Sequence, residues 1–153
     1  MTFPLSVITS VAAEIIATAT CTIETRGTGF VEITREAARF IAEAHGKNGL
    51  LLVFTRHTSA SLLIQENADP DVRADLVTAL DRLAPADVAW VHDVEGRDDM
   101  PAHVKTALTG VSLHVPVIDA TLALGTWQGI YLAEHRARPH RREIIFQFIG
   151  ARR

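Results

Sequence analysis

From His92 to His103 the chain concentrates groups that do chemistry: two imidazoles (His92, His103), four carboxylates (Asp93, Glu95, Asp98, Asp99) and the guanidinium of Arg97. Only Val94, Met100, Pro101 and Ala102 are apolar there. A solvated surface loop accounts for such polarity, and so does a site. Neutral imidazole and carboxylate ligate divalent metals, and they serve as general acids and bases. Two further polar clusters fall at predicted strand ends: His57, Ser59, Ser61, Glu66, Asn67 and Asp69, then Trp127, Gln128, Glu134, His135 and Arg136. If extended, the first cluster points His57 and Ser59 to one side. A Ser–His pair is the start of nucleophilic catalysis, but no nucleophile elbow or oxyanion feature accompanies it. Hydrogen bonding within a turn explains Ser59 and Ser61 equally well. Gly129 between Trp127 and Tyr131 leaves room for a ring or ligand near the backbone, although Trp127 also reads as plain packing.

The elements that must position these groups follow from periodicity. With 153 residues, 48% hydrophobic and 22% charged, the chain is read as one domain, 1–153, with a loose arm over 1–12 that carries no clear period. A net charge of −3 gives no reason to expect nucleic-acid binding. One cysteine, Cys21, excludes an intrachain disulfide. No apolar run approaches ~20 residues, and the N-terminus lacks a basic signal region, so the expectation is a cytoplasmic protein without membrane contact. Alternation predicts strands over 14–25 and 30–33. Thr34 is expected to cap a helix that Gly46 ends, with a turn at Lys47-Asn48-Gly49. The run Leu50 to Thr55 reads as a strand covered on both faces. Asp69-Pro70 opens a helix reaching Leu83, with Val72, Leu76, Leu80 and Leu83 on one stripe. Asp99 starts a short helix that carries His103 and Lys105 and stops at Gly110. Strands follow over 111–115, 125–135 and 143–150, with a basic hairpin over 136–142. Strands outnumber helices and connections are short, so antiparallel pairing dominates and the class is α+β.

The motifs resemble those of the YjbQ-type proteins, the secondary thiamine-phosphate synthase family. The matching blocks are His57-Thr58-Ser59-Ala60-Ser61-Leu62, Glu66 to Pro70, His92 to Pro101, His103, Lys105, Gly110, Ser112-Leu113, Gly125 to Arg136 and Arg141-Arg142. Against the family pattern, Ala102 replaces a usual Ser, Trp90 a usual Tyr, and Ala120 lies where a Gly is usual.

The resemblance implies a mostly antiparallel, sandwich- or barrel-like sheet flanked by helices, assembled as a homotrimer with sites near subunit boundaries. It implies joining hydroxymethylpyrimidine pyrophosphate to thiazole phosphate with loss of pyrophosphate. Candidate catalytic residues are then His57, Ser59, Glu66, Asn67, Asp93, Asp99 and Glu134. Lys105, Arg136 and Arg141 would hold phosphate oxygens of a small phosphorylated substrate, while Trp127 and Gln128 would hold its ring. A divalent metal would sit either on Asp93, Asp98 and Asp99, as Mg²⁺, or on His57, His103 and His135, as Zn²⁺. Two alternatives stand beside this: a non-catalytic trimer binding a metal or anion, and a metal-dependent hydrolase.

Overall fold

A computed structural model describes residues 3–153. Its elements are β1 (Ile15–Glu24), β2 (Gly29–Glu32), α1 (Thr34–Glu43), β3 (Gly46–Thr55), β4 (Ala60–Glu66), α2 (Pro70–Leu83), α3 (Asp99–Thr109), β5 (Ser112–Ile118), β6 (Thr121–Leu122), β7 (Gln128–Glu134) and β8 (Arg141–Arg152). The strands form two antiparallel sheets, ordered β1-β8-β3-β5-β6 and β2-β7-β4. The α+β expectation holds. No helix among the described residues is long and apolar enough to cross a membrane.

The core lies between the sheets. Leu51, Val53, Val115, Val117, Ile144, Phe146 and Phe148 come from the larger sheet. Leu62, Ile130 and Leu132 come from the smaller one, and Ala37, Phe40 and Ile41 from α1. Phe40 stacks on Phe146 with centroids 5.8 Å apart. α2 lies against β2 and α3 against β4, so the smaller sheet has helices on its other side. That explains why Gly129 to Glu134 are all buried whatever their parity.

Several local expectations need correction. Leu50 to Thr55 is covered on one side only: Leu51 and Val53 are fully buried, while Leu50 and Phe54 remain 38% and 37% exposed. Thr34 does not cap α1. It lies inside the helix, donates to the Glu32 carboxylate at 2.9 Å and accepts the Ile130 amide at 2.9 Å. Gly46 begins β3, and the reversal is made by His45 in the left-handed region at φ 53°, followed by a bulge between Gly46 and Asn48. Gly49 and Gly150 face each other so closely that a Cβ on either would lie 2.2–2.3 Å from a backbone oxygen. Residues 125–127 form no strand, because Gly125 and Gln128 close a turn on each other. β8 is longer than expected and starts at Arg141. On α2, Val72, Leu76 and Leu80 are half-buried but Leu83 is exposed. The Asp69 cap is as expected, accepting the Asp71 amide at 2.9 Å.

The phase of β3 generates a prediction. Leu51→Ala should lower the urea unfolding free energy by about 2–5 kcal/mol, and Leu50→Ala distinctly less. Equal losses would place both leucines in the core and contradict the one-sided burial.

Candidate functional site

α3 presents the first group. Asp99 and His103 are four residues apart on a helix, hence on one face, and His92 approaches them from the preceding loop. His92 Nε2 lies 2.8 Å and His103 Nε2 3.2 Å from Asp99 Oδ2. One ligand atom from each of these three residues lies within 4.8 Å of the others, and they are the group among the described residues that could hold a metal. Asp99 is buried while both imidazoles reach solvent. His103 Nδ1 bonds the Thr58 carbonyl at 2.8 Å. A carbonyl only accepts, so Nδ1 carries the ring proton and the Nε2 lone pair of neutral His103 faces the carboxylate. That contact is repulsive until a cation or proton lies between. Imidazole–carboxylate separations of 2.8 and 3.2 Å suit metal–ligand bonds of ~2.0–2.2 Å.

Arg136 supports the carboxylate from behind. It leaves the end of β7, donates through Nη1 to Asp99 Oδ1 and through Nε to Asp98 Oδ2 at 3.2 Å, and through Nη2 to the Glu95 carbonyl at 2.8 Å. Asp98 also accepts the Ala137 amide at 2.8 Å. Burial alone would raise the Asp98 pKa, but that amide and Arg136 outweigh it and hold the carboxyl below its ordinary value. Such outer contacts orient metal ligands.

Glu134 is a different kind of group. Its carboxylate is fully buried and accepts Arg142 Nε at 2.7 Å, Arg142 Nη2 at 2.6 Å, the Arg136 amide at 3.0 Å and the Thr25 hydroxyl at 2.8 Å. Burial pushes its pKa up, yet these donors win and hold it low. A carboxylate this saturated keeps the scaffold together and has no free lone pair for substrate.

The three histidines expected to share an ion are not brought together within one chain. His57 Nε2 accepts the Glu143 amide at 2.9 Å, and burial, then Arg142, lowers its pKa. His135 Nε2 bonds Ser61 Oγ at 2.8 Å, with Ser61 0% and His135 4% exposed. The Ser–His pair of this fold is thus Ser61–His135, not His57–Ser59, and it is sealed from substrate. Thr109 closes the same network by donating to Ser61 or the Lys105 carbonyl.

The expected phosphate and ring contacts are dispersed. Lys105 is buried and paired with Asp81 at 2.5 Å, and Arg136 is committed to the acidic loop. Arg141 is exposed beside Glu24. Trp127 is 64% exposed in the turn whose backbone Gln128 closes. The space expected at Gly129 is filled by the Tyr131 ring and Asn67. The Ser59 carbonyl accepts from Arg142, and the Glu66 carbonyl from Arg73 and the Tyr131 hydroxyl. Asn67 borders an open depression with Glu32, Arg35 and Glu36. Asp93 is exposed and lines a depression of about 250 Å³ with Trp90, His92 and Arg97. A second, apolar depression of about 390 Å³ reaches His103 from Thr58, Ala107 and Val111. The metal-type group therefore stands between a polar and an apolar recess. His92 was in view in the sequence as part of the acidic loop. What was missed is that it folds back seven residues onto Asp99.

Residues 19–151 match the family described as UPF0047 protein YjbQ-like. The chain is 48% identical over 129 residues to the UPF0047 protein sll1880 of Synechocystis, covering 84% of this chain and 88% of that one. It is 45% identical over 132 residues to the UPF0047 protein YjbQ of Salmonella typhimurium, covering 86% and 96%. A solved YjbQ/UPF0047 protein of Clostridium acetobutylicum superposes with a TM-score of 0.80 at 34% identity, covering 85% and 98%. The hypothetical protein APE1520 of Aeropyrum pernix gives 0.82 at 28%, covering 88% and 99%.

His135 generates a pH prediction. Burial first, and Lys105 next, push its pKa down from 6.5 to about 4. Below pH 6.5 the unfolded chain takes up a proton that the folded chain refuses until about pH 4. This contribution to stability is complete above 6.5 and is lost as pH falls across that window. His135→Gln, which retains a polar partner for Ser61, should flatten the stability–pH curve there by up to ~3 kcal/mol. An identical curve from urea unfolding at several pH values would contradict it.

Proposed function

We propose that this chain, which belongs to the UPF0047 YjbQ-like family, holds a divalent metal ion on His92, Asp99 and His103 and uses it on a small phosphorylated substrate. One observation carries the reading: two imidazole nitrogens converge on one buried carboxylate oxygen, with Thr58 and Arg136 fixing two of the three ligands from behind. Two imidazoles with one carboxylate favour a zinc-type ion over Mg²⁺.

The chemistry that fits is the transfer implied by the family resemblance. The bond between the pyrimidine methylene carbon and the pyrophosphate oxygen breaks, the thiazole nitrogen attacks that carbon, and pyrophosphate leaves. The bound ion would neutralise charge on the leaving group. Arg97 lines the recess beside His92 and would add to that neutralisation, and Trp90 in the same recess would offer a face for a flat ring. Arg136 keeps Asp99 oriented. A homotrimer belongs to the same reading, supported by Val91, Val94 and Leu108, which stand exposed around the site and would be covered by a neighbour.

A second reading, ion binding without turnover, draws on Lys105 and Arg136 being already paired with carboxylates. Metal analysis and turnover separate the two. The purified chain should bind about one Zn²⁺ per copy, and His103→Ala or Arg136→Lys should weaken binding by roughly 10–100-fold. Metal-loaded protein should release pyrophosphate from the two substrates, and Asp99→Ala should reduce the rate by at least ~100-fold. Tight zinc with no release would select the second reading. Absence of zinc binding would remove both.

A further inference from the structure

The phase of β1 makes the preceding segment legible. In β1 the odd positions Ile15, Ala17, Cys21 and Ile23 pack against the core. Continued backwards, odd numbers fall on Phe3, Leu5, Val7, Thr9, Val11 and Ala13, and even numbers on Pro4, Ser6, Ile8, Ser10 and Ala12, so that Ile8 and Thr9 are the two exceptions to an apolar odd face. The segment has no clear period of its own, but set against the phase of β1 most of its large apolar residues fall on the core-facing positions. Residues 3–11 lie in no sheet: Phe3, Leu5, Val7 and Ile8 are 83–88% exposed. A segment this apolar with nothing beside it is an unfinished pairing. The family match begins only at residue 19, so the segment is a feature of this chain beyond that match.

The chain also carries an acceptor. β1 is ten residues long and stands at the edge of the larger sheet, paired only with β8. Its outer backbone groups have no strand beside them among the described residues. Next to it lies a depression of about 270 Å³ of mixed character, where Ala19, Cys21, Phe40 and Phe146 meet Thr20, Thr22 and the charged Glu36, Arg39 and Glu43 of α1. On the outer face of β1, Ile16 is 70% exposed.

We propose that residues 3–11 of one copy add as an antiparallel strand to β1 of a second copy, reciprocally about a twofold axis near Ala12. The register sets Ile8 opposite Ile16, which joins the two exposed outer-face isoleucines. The same register puts Leu5 opposite Ala19 and Phe3 opposite Cys21, at the mouth of that depression, where Phe40 and Phe146 offer apolar surface. The occupant is a second copy and not the segment's own chain. Glu14 continues the ladder, donating its amide to the Gly150 carbonyl at 2.9 Å, so the segment leaves in line with β1. Folding back would need a reversal at Ala12-Ala13-Glu14, which has no Gly, Pro, Asn or Asp. Residues 3–13 bear no charge, and the segment is long enough to lie along a strand of β1's length at ~3.3 Å per residue. Pro4 has no N–H to give, which a strand with a free outer edge tolerates. This pairing is independent of the metal site, and its twofold axis is distinct from the threefold contact proposed around that site, so it would join a copy in one trimer to a copy in another.

The test uses the full chain with Cys21→Ala. Ile8→Cys combined with Ile16→Cys should, on oxidation, give a covalent dimer joined by two bridges, whereas either cysteine alone should not. In the unmodified chain the amides of Leu5 to Thr9 should exchange at least ~10-fold more slowly than in the Ile8→Asp variant. Both isoleucines are exposed, so neither change threatens the fold. An intrachain bridge would mean that the segment folds on its own copy and would overturn the proposal. Free thiols would overturn it too, as would solvent-rate exchange that slows only when phospholipid vesicles are added.

Discussion

A buried chain of charges at the end of β7 holds the molecule together. Arg142 of β8 grips both oxygens of Glu134, and Glu134 also takes the amide of Arg136. Arg136 then reaches Asp98, Asp99 and the Glu95 carbonyl. Taking a carboxylate and a guanidinium out of water costs several kcal/mol each, and removing one partner of such a pair typically costs 3–5 kcal/mol. Here every lone pair of Glu134 has a donor, so the cost is offset. β7 belongs to the smaller sheet and β8 to the larger, so the ion pair pins the two sheets at one end. The next residue but one carries that rigidity to the start of α3.

The same arrangement sets what the surface can do. Asp99 is held by Arg136 through Oδ1, which leaves Oδ2 to face His92 and His103. A carboxylate with one oxygen anchored and one offered, between a ring fixed by a backbone carbonyl and a ring on a loop, is an ordered donor set for a cation. Two of the cations expected to grip phosphate, Lys105 and Arg136, are instead paired with carboxylates, while Arg141 stays exposed beside Glu24. In the proposed reading, substrate charge would then be met by the ion and by exposed groups such as Arg97.

Much of this was legible in the sequence where a local rule governed. The Asp69-Pro70 helix start, the alternation of β1, and the four-residue step from Asp99 to His103 all depend on neighbours in sequence. Other features depend on distant partners. β7 shows no useful alternation because the core covers one face and α2 and α3 the other. The Ser61–His135 pair joins residues 74 apart, and no spacing rule prefers it over His57–Ser59. Arg136 reads as a phosphate ligand by type and becomes a support for Asp99 only once β7 and α3 meet. His45 taking the left-handed turn ahead of Gly46 could not be chosen over the glycine from composition alone.

Whether His92, Asp99 and His103 are ligands of one ion can be read directly by X-ray absorption on the zinc-loaded protein. Two imidazole nitrogens are expected at about 2.0–2.1 Å with the remaining ligands oxygen, falling to one imidazole in His103→Ala. A spectrum with no imidazole scattering, or one unchanged by that substitution, would contradict that ligand set.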